Sequence, residues 1–192
     1  MISAPPIPSD RIRNLALRAT PGHPLHQIEF QFAEGQDKLP SEKVMRGWVE
    51  RVLDGCEDLE LTVRFVGEAE IAALNEQFRQ KPEPTNVLSF PADVTLPDGG
   101  LLLGDVVICS TVVFSEARAQ HKTIAAHTAH MLIHGVLHLL GHDHQLERAA
   151  IEMETIEAEL LGNAGFDDPY QVTIQTGLQG KEPNSDQGSN SG

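Results

Sequence analysis

Residues 134–144 read HGVLHLLGHDH, and they close a longer stretch in which Met131, Leu132, Ile133, Val136, Leu137, Leu139 and Leu140 recur at helical spacing. The pattern predicts a helix over 123–140. Gly141 ends it, because glycine takes the left-handed conformation that turns the chain back. His134 and His138 are four apart, so their imidazoles leave one face a turn apart and can reach a single ion at about 2.0–2.1 Å. Beyond the glycine, His144 is the candidate third ligand and His142, immediately after the turn, its competitor. His130 extends the stripe but stands about 12 Å of helix rise from His138, too far to share an ion with it. Three neutral imidazoles leave the ion its charge and one open position, the arrangement of a catalytic zinc site. Asp143 is a candidate to orient a ligand or to cap the helix end.

Working outward, strict alternation of Leu59, Leu61, Val63 and Phe65 predicts a strand over 59–66, and Ile28, Phe30 and Phe32 predict another over 28–32. The apolar stretch TNVLSFP predicts a short strand over 85–91. A fourth is expected over 101–109, after a Pro-Asp-Gly-Gly turn at 97–100. Helices are expected over 41–54, 68–79, 111–120 and 146–161. The first has Ser41 as N-cap, Val44, Trp48, Val49 and Val52 on one side, and Gly55 at its close; Gly162 and Gly165 end the last. Together these predict an α+β fold: a single domain with a roughly four-stranded mixed sheet, packed mainly on one face against about five helices, with the metal site at the end of the histidine-bearing helix. Residues 25–170 form this domain. Residues 1–24 are a proline-rich arm with one short helical turn expected at 11–19, and residues 171–192 are a tail too poor in apolar residues to offset its ordering entropy.

The composition narrows the function. Fourteen Lys and Arg against 28 Asp and Glu give a net charge of -14 over 192 residues, which excludes broad, non-specific wrapping of a nucleic-acid backbone and leaves room only for a local basic cleft. Two cysteines, Cys56 and Cys109, cannot form a disulfide framework, and no secretory leader is legible, so a reducing cytoplasmic setting is expected. No apolar run is long enough for a membrane span. Seven of the nine histidines fall between His121 and His144. The ligand spacing is shared with HExxHxxGxxH metallopeptidases, but Gly135 stands where their glutamate acts as base, which demotes peptide hydrolysis; a displaced acid such as Glu116 would be its only rescue.

The histidine stretch resembles the end of the YbeY family, bacterial rRNA-maturation endoribonucleases that hold a metal with H-x3-H-x5-H. Two further stretches agree with that family in order and spacing. LNEQFRQKPEPTNVLSFP, at 74–91, is similar to its LNxxyR and kxTDVLSFP pieces, and LLGDVVIC, at 102–109, to its LGDIvIs strand. The likeness covers about residues 59–161. It departs from the family at Asn86, where aspartate is usual, and at His142, where tyrosine is common. It implies a zinc-dependent, single-strand-specific endoribonuclease of small-subunit rRNA 3'-end maturation and ribosome quality control, with one Zn2+ held by His134, His138 and His144. It also implies RNA within the small ribosomal subunit or its precursor as partner, with ribosomal proteins or an assembly GTPase as further ones. By its LNxxyR context the family's arginine maps onto Arg79, so the resemblance makes Arg79 and His134 the catalytic candidates. A guanidinium can grip a phosphate through two parallel hydrogen bonds. Lys81, Thr85 and Ser89 beside it are candidate substrate contacts, with Asn86 a neutral group among them. Asp105, at the centre of the fourth strand, is expected to need a partner, because a buried acid is costly. A non-catalytic zinc-binding assembly factor is the competing reading.

Overall fold

The computed structural model describes residues 26–56, 58–142 and 147–170. The N-terminal arm with its expected helical turn, the tail, Asp143 and His144 lie outside the described residues. Strands β1 (Gln27–Phe32), β2 (Leu59–Val66), β3 (Val87–Thr95) and β4 (Leu101–Cys109) form one sheet in the order β1-β2-β4-β3. β1, β2 and β4 run parallel and β3 pairs antiparallel with β4, so the sheet is mixed. Five α-helices accompany it among the described residues, α1 (Glu42–Val52), α2 (Glu68–Arg79), α3 (Ser110–Ala119), α4 (Ile124–Leu139) and α5 (Glu147–Asn163), with a short 3-10 helix at Gln36–Lys38.

The α4 face of the sheet carries the main core. There Leu59, Leu61, Val63 and Phe65 of β2 meet Leu132, Ile133, Val136 and Leu137 of α4 and Met45, Trp48 and Val49 of α1. In α1 the inward stripe is Met45, Trp48 and Val49, while Val44, expected to face inward, is 46% exposed. Starting the stripe one residue later gives the i, i+3, i+4 spacing of a helix. Ser41 holds the N-cap position, but its backbone oxygen rather than its hydroxyl accepts from Val44 and Met45. On the opposite face α2 covers a smaller cluster of Val66, Ile71, Leu88, Val107 and Cys109.

β4 serves both clusters through an irregularity at Gly104. Glu60 pairs with Leu102 but Leu61 pairs with Gly104, so Leu103 is an extra residue in the ladder. Leu101 and Leu103 face the main core, and beyond the offset Val106 and Ile108 do. Gly104 has φ +130, and a Cβ there would lie 2.1 Å from the carbonyl oxygen of Phe90, so only glycine fits. The offset turns Asp105 out to solvent. Its expected burial therefore does not occur, and neither does the cost.

β3 extends past the expected end at Pro91 to Thr95. Pro91 lies opposite Gly104 at the irregularity, and pairing resumes with Val94 opposite Leu102. β3 is an edge strand of this sheet, where a missing N–H breaks no inner ladder. The hairpin closes at 96–100, where Leu96 N donates to Gly100 O at 2.8 Å and Gly100 N to Asp98 Oδ1 at 3.1 Å.

α4 begins where Thr123 Oγ1 accepts from Ala126 N at 3.1 Å. It ends as the glycine predicts: Gly141 has φ +89, its N–H donates to His138 O, and the N–H of His142 reaches back to Leu137 O at 3.0 Å. Those paired bonds satisfy carbonyls the helix leaves open and reverse the chain directly after His138.

Candidate active site

His134 and His138 project from the same face of α4, with their Nε2 atoms 3.1 Å apart. Neighbouring nitrogen ligands of a tetrahedral ion with bonds of about 2.0–2.1 Å stand about 3.3 Å apart, so the pair is already spaced to share one. The other nitrogen of His134, Nδ1, lies 2.7 Å from Glu157 Oε1. A carboxylate only accepts, so Nδ1 carries the proton and Nε2 presents its electron pair on the side of His138. A histidine oriented in this way by a carboxylate is the usual partner of a protein-bound metal, and the two described residues fit a divalent ion. Among the described residues no group of three His, Cys, Asp or Glu could hold an ion; the third expected ligand, His144, lies outside them.

Glu157 comes from α5 and is fully buried. Its second oxygen accepts from the hydroxyl of Tyr170, and His130 Nε2 stands 3.3 Å from that hydroxyl and 3.6 Å from Glu157 Oε2. Burial would push the Glu157 carboxyl up, but His130, His134 and Tyr170 around it outweigh that and hold it down to about 2. Burial and the same carboxylate push the Tyr170 phenol above its ordinary value. His130, the competitor for a metal position, thus faces Tyr170 and Glu157. A cavity of about 300 Å³ opens beside His134, between Met153, Glu154, Glu157 and Tyr170.

Gly135 lies between the two ligand positions and faces the sheet. A Cβ on it would come within 2.5 Å of Val106 Cγ1 and 3.3 Å of Ser89 Oγ, so the glutamate of a metallopeptidase has no room there. Ser89 Oγ donates to the Gly135 carbonyl at 2.9 Å, which locks the edge strand to the helix. Glu116, the alternative acid, accepts from Asn86 Nδ2 at 3.2 and 3.3 Å and lies 2.7 Å from His127 Nε2. Asn86 Oδ1 in turn accepts from Val87 N at 2.8 Å and lies 3.4 Å from Thr85 Oγ1. With Asn86 in place of an aspartate, the partners of Glu116 among the described residues are an amide and an imidazole.

Arg79 and Lys81 sit at the other end of the substrate reading, at the C-terminus of α2. Gln80 takes φ +58, and buried Asn75 holds the following loop by donating to Glu83 O at 2.8 Å. Arg79 and Lys81 are exposed. Beside them Phe78 is 58% exposed and meets Phe90 edge to face at 5.0 Å. The edge strand separates the two groups: Ser89 is tied to α4 on one side while Phe90 meets α2 on the other.

The family model for "Endoribonuclease YbeY" matches residues 29–165. The chain belongs to the YbeY endoribonuclease family. "Endoribonuclease YbeY" of Alcanivorax borkumensis is 44% identical over 160 residues, covering 80% of this chain and 91% of that protein. The solution structure of TM1509 from Thermotoga maritima is 26% identical, covers 76% of this chain and all of that one, and superposes with a TM-score of 0.49. YbeY membership makes this chain a hydrolase of RNA in ribosomal RNA maturation, in accord with the resemblance read from its three motifs.

In this YbeY chain the sequence reading missed Glu157, Tyr170 and the Glu116–His127 pair. Glu157 lies on α5. Its signal is its phase: it is four residues from both Met153 and Leu161, which are buried, so an acid falls on the inward stripe of an amphipathic helix. His127 is buried, and burial pushes its pKa down against the opposing pull of Glu116.

Proposed function

We propose that this YbeY-family enzyme is a zinc-dependent endoribonuclease that cleaves single-stranded RNA near the 3' end of small-subunit rRNA, with one Zn2+ per chain held by His134, His138 and His144. The observation that carries the metal centre is the His134–His138 pair, its nitrogens 3.1 Å apart with a buried carboxylate behind one of them. Zinc supplies, when bound, Lewis acidity toward a phosphoryl oxygen or an attacking water.

The remaining work falls to the chain's own residues. Arg79 has no side-chain partner among the described residues and can donate two parallel hydrogen bonds to a phosphate, stabilising the charge that grows on its oxygens as the phosphorus becomes five-coordinate. Lys81 adds positive charge, and Thr85 a hydroxyl, on the same loop. Ser89 contributes through its hold on Gly135, with its oxygen left to accept from RNA. Exposed Phe78 offers a ring face to an unpaired base, which suits a single strand and not a duplex. A focused cationic site of this kind serves an RNA already held in a ribosomal particle, despite the overall negative charge. The partners are therefore the small subunit or its precursor, with ribosomal proteins or an assembly GTPase beside it, in the cytoplasm. Among the described residues no helix is long and apolar enough to cross a membrane.

The test is cleavage of matched single-stranded and duplex RNAs by protein of measured metal content. Single-strand cleavage lost on chelation and restored by one equivalent of zinc is expected. H134A and H138A should lose zinc and activity together, and H144A likewise. Zinc retained in H144A but lost in H142A would overturn the ligand set. A 2'-deoxy ribose at the scissile position distinguishes attacking water, which still cleaves, from the ribose hydroxyl, which does not.

A further inference from the structure

The polar network behind His134 has a single consistent proton arrangement. Glu157 accepts at both oxygens: from His134 Nδ1–H at Oε1 and from the Tyr170 hydroxyl at Oε2. Having given its proton to Glu157, the Tyr170 oxygen can only accept, so the His130 Nε2 at 3.3 Å donates to it. The Nδ1 of His130 has no hydrogen-bond partner among the described residues, so the ring meets this network through Nε2 alone. The chain of donors runs from His130 through Tyr170 to Glu157, and a second donor reaches Glu157 from His134.

A buried carboxylate is costly to desolvate and is tolerated in a core only when it is hydrogen-bonded. Replacing buried ionic groups by well-packed apolar ones is often neutral or stabilising. A fully buried acid with both oxygens engaged, directly behind a ligand position and beside a cavity, therefore points to a task other than holding α5 to α4. We propose that Glu157 is the positioning residue of the metal centre, fixing the ring of His134 so that Nε2 is the ligand atom, and that Tyr170 holds Glu157 in place from beyond the end of α5. His130 completes the arrangement as the donor to Tyr170. This deepens the zinc reading and rests on it for its affinity test, but not for its tautomer test.

The experiment measures zinc affinity by chelator competition and, in metal-free protein, the tautomer of His134 by imidazole ¹⁵N shifts, for wild type, E157Q, E157A and Y170F. E157A should weaken zinc binding by about 10- to 100-fold and release His134 from the Nδ1–H form. E157Q keeps an acceptor oxygen without the charge, so the tautomer should persist, zinc should weaken by about 10-fold, and the melting temperature should stay near that of wild type. Y170F should weaken zinc less than E157Q. If E157A does not fold, E157Q and Y170F decide. Wild-type zinc affinity in both E157Q and Y170F would overturn the assignment, as would an unchanged His134 tautomer in folded E157A. Wild-type protein that takes up no zinc would remove the zinc reading alone; the His134 tautomer in metal-free wild type and E157A would still decide the role of Glu157.

Discussion

On the α4 face of the sheet a continuous core runs from Ile28 in β1 to Leu161 in α5, and the polar side chains buried on that side include His127, which meets Glu116 through Nε2, and Glu157, which meets His134 and Tyr170. On the α2 face five buried residues suffice, and the groups at its rim, Phe78, Arg79 and Lys81, stand in solvent. The difference follows the tasks. A metal centre needs side chains fixed to fractions of an ångström, which dense packing and a carboxylate behind a ligand position provide. A flexible polyanion needs donors that can follow it, and long exposed cations at a helix end provide those.

The comparison breaks most sharply if the exposed side proves dispensable. R79A should lower kcat by about 10²- to 10³-fold, the loss expected for one transition-state donor, with zinc content and melting temperature unchanged because Arg79 holds nothing in the fold. Undiminished kcat in a zinc-loaded R79A enzyme would remove Arg79 from the site and favour the assembly-factor reading.

A smaller effect is expected on the packed side. In G135A the added methyl must displace Val106, which is fully buried. Overpacking costs about 1–3 kcal/mol, against a gain of about 1 kcal/mol from replacing glycine within a helix. A melting temperature lowered by a few degrees is expected, and thermal denaturation reads it. A rise would mean that α4 does not sit as closely on β4 as the structure has it.

The smallest effect is on pH dependence. The pKa of His127 lies below the unshifted value of 6.5 because burial outweighs the hydrogen bond and charge of Glu116, while His130 and Lys122 lower it further. The unfolded chain therefore binds the extra proton first. Stability is constant above about 6.5, falls as the pH drops from there toward the folded value, and levels off below it. A His127→Asn variant should flatten that part of the stability profile; an unchanged slope would assign it to another group.

Much of this was legible in the sequence, for local reasons. Alternation marked β2, and helical spacing with a closing glycine marked α4 and placed His134 and His138 on one face. What escaped depended on contacts distant in the chain. Pro91 reads as a strand end until β3 is seen to be an edge, and Asp105 reads as buried until the extra residue at Leu103 shifts the phase of β4. Glu157 and Tyr170 gain their meaning only when α5 is laid against α4, since nothing adjacent in sequence ties either of them to His134.

The strand order also sets a timetable for synthesis. β4, the last strand to leave the ribosome, belongs between β2 and β3. Until residue 109 has emerged, β3 has no strand to pair with and β2 has only β1, so two open edges of the kind that invite wrong pairing coexist on the growing chain. The single insertion of β4 closes both. It is followed at once by α3 and α4, so the chain can complete its sheet before the first of the paired histidines emerges.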